Sequence, residues 1–238
     1  MGYNTHWSIL FEKPYSEWIV QGIYNTFYIS LISWAFALLI GVLVGMISEA
    51  PMKGFRYFAS AYVQVFRNIP LLVQLFFSYF VIPLLLPKEI RRQLYEIGWE
   101  MGSAILTLSL YTSAKISEHV RAGLNTVESG IRQAALSTGL TWWQLQIYVI
   151  VPLLLRIIIP SITTEFLTIF KSSSLAMAVG VAETTYVTQK IGFHSFRWIE
   201  ASTMGTAIYL CTSWVIAIGM GFVENKVYVP GLIKRDEG

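Results

Sequence analysis

The chain has 238 residues, 55% of them hydrophobic and only 13% charged, about half the charged share of ordinary soluble domains. A net charge of +3, dispersed along the chain, excludes a nucleic-acid face, and one cysteine, Cys211, excludes an intrachain disulfide. The mean hydropathy of +0.56 comes from long uncharged runs that need a lipid bilayer as solvent, each crossing taking roughly 20 apolar residues. The composition therefore predicts an all-α, polytopic membrane helix bundle. No cleavable signal peptide is expected, because Glu12, Lys13 and Glu17 precede the first apolar stretch.

In chain order, about five crossings are expected, at residues 18–47, 58–86, 101–124, 147–170 and 202–223 of a single domain, 1–238. The first carries Thr26, Ser30, Ser33, Ala37, Gly41 and Gly45 at helical spacing, small residues that let helices approach closely. The second is interrupted by Arg67-Asn68-Ile69-Pro70, and a charged loop, 87–100, follows it. The third turns polar in its second half, with Lys115, Glu118, His119 and Arg121. Residues 125–146 read as short surface helices, and 171–200 as a loop or half-inserted segment. Basic residues barely decide the orientation. With the C-terminus inside, Lys53, Arg56, Arg121, Arg132, Lys226, Lys234 and Arg235 oppose six outer ones.

The loop at 125–146 has its own logic. Ala134-Ala135 begins a short helix of minimal bulk, Gly139 ends it in a left-handed conformation, and Thr141 caps the next helix. Two short helices at a sharp bend make a compact knob. Gln133-Ala134-Ala135, Gly139 and the closing Val149-Ile150-Val151-Pro152 resemble the Glu-Ala-Ala loop of permeases in binding-protein-dependent ABC importers. Gln133 stands where that pattern has Glu, and Val151 where it has Leu, so any ion pair made by the relatives at the first position is in doubt. Three further segments, Ala61–Phe77, Glu118–Gly123 and Lys171-Ser172-Ser173-Ser174-Leu175, resemble signatures of the polar amino acid uptake group (histidine, arginine, glutamine, glutamate), most of all its glutamate/aspartate permeases.

The resemblance implies a permease domain in the bacterial inner membrane, N-terminus outside and C-terminus cytoplasmic. Its implied partners are an ATP-binding-cassette ATPase, an extracytoplasmic amino-acid-binding protein, a second permease chain (the same or a sister) and the amino acid itself. Gln133, Ala134, Ala135 and Gly139 would form the coupling helix that seats in the ATPase. The chain lacks the Gly-x-x-x-x-Gly-Lys-Ser/Thr phosphate loop, so it is expected to be no enzyme and to need no cofactor or metal. Trp142 and Trp143 fit either a headgroup anchor or the ATPase socket.

Ionisable groups inside a span point to function. Ser161, Thr164, Glu165, Thr168, Lys171 and Ser172 fall within roughly a third of one helix circumference at about 100° per residue. On this face Glu165 can accept a substrate ammonium, with Thr164 and Ser172 as donors, unless Glu165 is spent on Lys171. Lys115 can attract a substrate carboxylate unless it pairs with Glu118. Pro160 marks a bend. An intramembrane enzyme is the competing class, with Ser172, Ser173 or Ser174 as nucleophile, but His119 is expected on another face and no Gly-x-Ser-x-Gly or His-Glu-x-x-His pattern occurs. A passive channel would need no knob.

Overall fold

The computed structural model describes residues 4–126 and 129–227, and among them every regular element is helical. After a 3-10 turn at Trp7–Phe11, ten α-helices follow: α1 Tyr15–Ile47, α2 Lys53–Asn68, α3 Leu71–Phe76, α4 Lys88–Glu96, α5 Trp99–Thr126, α6 Ser129–Ser137, α7 Trp142–Leu145, α8 Val151–Ser172, α9 Thr184–Ser195 and α10 Trp198–Val227. The expected tail residues Lys234 and Arg235, and the side chain of Arg132, lie outside the described residues.

Helices α1 and α10 are each long and apolar enough to cross a membrane. Two bent pairs, Lys53–Asn68 with Leu71–Leu85 and Trp142–Leu154 with Arg156–Val179, raise the number to four if each is one span. The expected break at Arg67-Asn68-Ile69-Pro70 is present: α2 stops at Asn68 and α3 resumes at Leu71, after Pro70 has withdrawn its N–H. The second break falls between Leu154 and Arg156, one turn before Pro160, whose ring crowds the carbonyl of residue 156. Helix α5, where the third crossing is expected, has the length but not the apolarity, because its second half is polar. The segment 171–200, expected as a loop or half-inserted segment, is largely helical: a 3-10 stretch at Ser173–Val179 closes on Gly180, at φ +91°, and α9 follows.

The described chain forms two compact units, and α1, α5, α8 and α10 contribute residues to both. The first unit takes residues 1–35, 69–109 and 167–216. Here Thr26 and Thr184 share a hydrogen bond of 2.8 Å between α1 and α9, and Asn25 donates to the carbonyl of Ala182 at 2.8 Å. Val187, Ile191 and Ala201 form a buried core, closed by Leu10, Trp18 and Met204.

The second unit takes, among the described residues, 36–68, 110–126, 129–166 and 217–227. Its packing rests on glycines of α1. A Cβ on Gly41 would lie 2.7 Å from Ile116, and one on Gly45 would lie 2.5 Å from Val120, so α1 rides directly on the backbone of α5. Gly123 gives α5 the same close approach to Leu154 and Ile158 of α8. This contact predicts that Gly45→Val destabilises the protein by about 1–3 kcal/mol through overpacking. Gly54→Ala, with no atom within 4 Å of the new methyl, should be neutral. Thermal unfolding in detergent checks both, and equal stability of Gly45→Val and the parent would contradict the packing.

Candidate functional site

In the second unit, α5 and α8 bring three ionisable side chains together. Lys115 Nζ lies 3.2 Å from Glu165 Oε2, and His119 Nε2 lies 3.3 Å from Glu165 Oε1. Lys115 and His119 are one turn apart on α5 and so present one face to α8. The Glu165 side chain is 10% exposed and that of Lys115 27%, so the carboxylate is the deeper member. Burying it unpaired would be prohibitive, and the ammonium is its main compensation. Lys115 also stands 5.4 Å from the ring centre of Tyr111.

Two expected pairings are therefore corrected. Glu165 does not take Lys171; Lys171 lies six residues further along α8, turned about 120° away by helical geometry, whereas Lys115 and His119 reach the carboxylate from α5. Lys115 does not take Glu118 either. Glu118 is held in a two-pronged contact by Arg121, at 2.8 and 3.1 Å, with Arg67 Nη1 of α2 at 3.5 Å. A guanidinium fork matches a carboxylate better than an ammonium does, which leaves Lys115 for Glu165.

The other expected site residues are dispersed. Thr164 is exposed and donates its hydroxyl back to the carbonyl of Pro160 at 3.3 Å, so its remaining capacity is to accept. Ser172 belongs to the first unit, where it lines an apolar hollow of about 10 Å³ with Leu71, Leu75 and Leu108, too small for an amino acid. The polar stripe on α8 is thus not one surface: Thr164 and Lys171 are exposed and Glu165 is buried. His119, set aside in the sequence, is a direct partner of Glu165. The i,i+4 spacing from Lys115 was the available signal, but its target on α8 was not.

Gln133, Ala134 and Ala135 lie on α6, with Gln133 and Ala134 exposed. Gly139 has φ +84° and its N–H donates to the carbonyl of Leu136 at 3.0 Å, ending the helix. Thr141 caps α7 in a capping box: its hydroxyl accepts from the Gln144 N–H at 3.4 Å, and its own N–H donates to Gln144 Oε1 at 2.9 Å. Helices α6 and α7 pack on each other around this bend. Trp142 and Trp143 meet edge to face, ring centres 4.5 Å apart, and Trp143 is 55% exposed.

Comparison with known proteins gives a consistent family. A family model described as "Binding-protein-dependent transport system inner membrane component" matches residues 37–228. The glutamate/aspartate import permease protein GltJ of Escherichia coli (strain K12) is 32% identical over 241 residues, covering 97% of this chain and 98% of GltJ. The probable glutamine ABC transporter permease protein GlnM of Bacillus subtilis (strain 168) is 30% identical over 220 residues, covering 92% of this chain and 97% of GlnM. In three dimensions, the crystal structure of an amino acid ABC transporter with histidines matches with a TM-score of 0.78. It is 24% identical and covers 94% of this chain and 100% of that one, a likeness of fold.

The pairing of Lys115 with Glu165 is checked by a double-mutant cycle on thermal stability. Lys115→Met and Glu165→Gln should show a coupling on the order of 1–3 kcal/mol, whereas Lys171→Met and Glu165→Gln should be additive within roughly 0.5 kcal/mol. Additivity in the first cycle would contradict the observed pair.

Proposed function

The chain belongs to the family of binding-protein-dependent transport system inner membrane components, and from that premise we propose that it is the permease subunit of an ABC importer for a polar amino acid, with glutamate or aspartate as substrate. The observation that carries the substrate is the 32% identity to GltJ over 97% of the chain. The chemistry supports it. An acidic amino acid brings a second carboxylate that needs a cation in a membrane interior. Lys115 offers three donors and spends one on Glu165, which leaves two for a substrate. In this reading Glu165 and Thr164 accept from the substrate ammonium beside Lys115. Glutamine is the second reading, and the identity to GlnM supports it.

The energy comes from elsewhere. The sequence has no phosphate loop for ATP, so hydrolysis is assigned to a partner ATPase. Gln133, Ala134, Ala135 and Gly139 form the coupling knob that seats in it. The reading also takes the chain as one permease domain with five crossings, N-terminus outside and C-terminus in the cytoplasm. A second permease chain completes the path, and a binding protein delivers the substrate from outside.

The test is ATP hydrolysis by the assembled complex, screened across amino acids with the cognate binding protein. Glutamate and aspartate should stimulate it; stimulation by glutamine alone would replace the acidic reading. The knob has its own check. A β-branched residue at φ +84° is strained by on the order of 1–3 kcal/mol. Gly139→Val should therefore insert and express but lose most uptake. Normal uptake with normal ATPase attachment would remove the coupling role from this loop.

A further inference from the structure

Lys171 closes the last turn of α8, and the carboxylate expected to neutralise it is taken by Lys115 and His119. It is exposed, and no ion-pair partner for it occurs among the described residues. An ammonium at the end of an apolar helix is tolerated where it faces water or protein rather than lipid tails. It lines an open cleft of about 870 Å³ within the first unit, between the end of α8, α9 and α10. Lys171 is the only charged residue among the described residues that line it.

The rest of the lining is uncharged: Trp198, Leu210 and Trp214 form its apolar part, and neutral polar side chains the remainder. Thr185, Thr188 and Gln189 stand at i, i+3 and i+4 on α9 and so share one face; Thr206 and Tyr209 come from α10. Two of these groups are fixed from beneath. Tyr209 donates to Glu183 Oε2 at 2.7 Å and accepts from Thr185 Oγ1 at 3.2 Å. Glu183 is fully buried and also takes the N–H groups of Thr185 and Tyr186, each at 2.8 Å, so its charge is satisfied below the lining and not offered to the cleft. Thr188 and Thr206 donate back to the carbonyls of Thr184 and Ser202, at 2.8 and 2.9 Å, which leaves their oxygens as acceptors. The cleft therefore holds one full cation, an amide at Gln189, and neutral acceptors. That is the complement of a solute with more carboxylate than ammonium.

We propose that this cleft is a binding station for an acidic amino acid, with Lys171 as the counter-charge of a substrate carboxylate and Thr188 and Thr206 as acceptors for its ammonium. The proposal rests on the importer reading above and adds a site in the other unit from Lys115 and Glu165. Its test uses the assembled complex carrying Cys211→Ala and Ser213→Cys, so that the one thiol of this chain lies in the cleft lining. A neutral maleimide is the probe, so that the lysine does not attract the reagent itself, and protection in each variant is referred to its own labelling rate without amino acid. Glutamate should slow labelling, and glutamine should do so more weakly. Lys171→Met should raise the glutamate concentration for half-protection by at least about 10-fold, in keeping with a hydrogen bond to a charged group, and Lys171→Arg should largely preserve it. Equal protection in Lys171→Met and the parent would overturn the proposal, as would indifference to glutamate in a complex that imports it. Protection by glutamate in a complex that imports no acidic amino acid would retain the cleft and overturn the transport reading instead.

Discussion

An ammonium and a carboxylate 3.2 Å apart, with the carboxylate nearly out of water, make the contact on which the second unit depends. Either charge alone on its helix would be costly to insert, so Lys115 on α5 and Glu165 on α8 are tolerable only together. Their distance sets the register of α5 against α8, and Gly123 allows it by letting Leu154 and Ile158 come close to α5. The other side of α5 is fixed by Gly41 and Gly45 of α1. Small residues on one face and the contacts of Lys115 and His119 with Glu165 on another leave α5 little freedom to slide or rotate. That explains how a helix too polar to read as a simple span is held in place.

What the sequence made legible follows the range of the interactions. The loop at Gly139 could be read from the sequence, because each step acts within a few residues: a left-handed glycine and a Thr141 hydroxyl at the next helix. The break at Pro70 was legible for the same reason. The charge pairs were not. Local spacing put Lys115 beside Glu118 and Glu165 near Lys171, but the partners sit 50 and 46 residues away in sequence. The length and order of α9 were also hidden, since Thr184–Ser195 has no strong apolar face, and its capping carboxylate, Glu183, is a buried charge that composition alone would place in solvent.

The two units divide the chemistry. In the second, the cations on α5 are paired with carboxylates of the same chain, Lys115 keeping two donors, and Gln133 and Ala134 are exposed on the knob. In the first, a buried carboxylate is spent on backbone and tyrosine donors while Lys171 stands in an open polar cleft. Fixed networks beneath, with one cation presented above, suit the proposed acidic substrate: the groups that would meet it are oriented without being exhausted. Under the proposed importer reading, directionality is imposed from outside the chain, by a partner ATPase.

That dependence is the centre of the account, and accumulation measures it most directly. The complete complex, reconstituted in vesicles with the cognate binding protein and labelled glutamate outside and ATP on the knob side, should concentrate glutamate against its gradient. Uptake should vanish when ATP or the ATPase is withheld. Equilibration of glutamate through this chain without ATP would contradict the account and make the protein a passive channel.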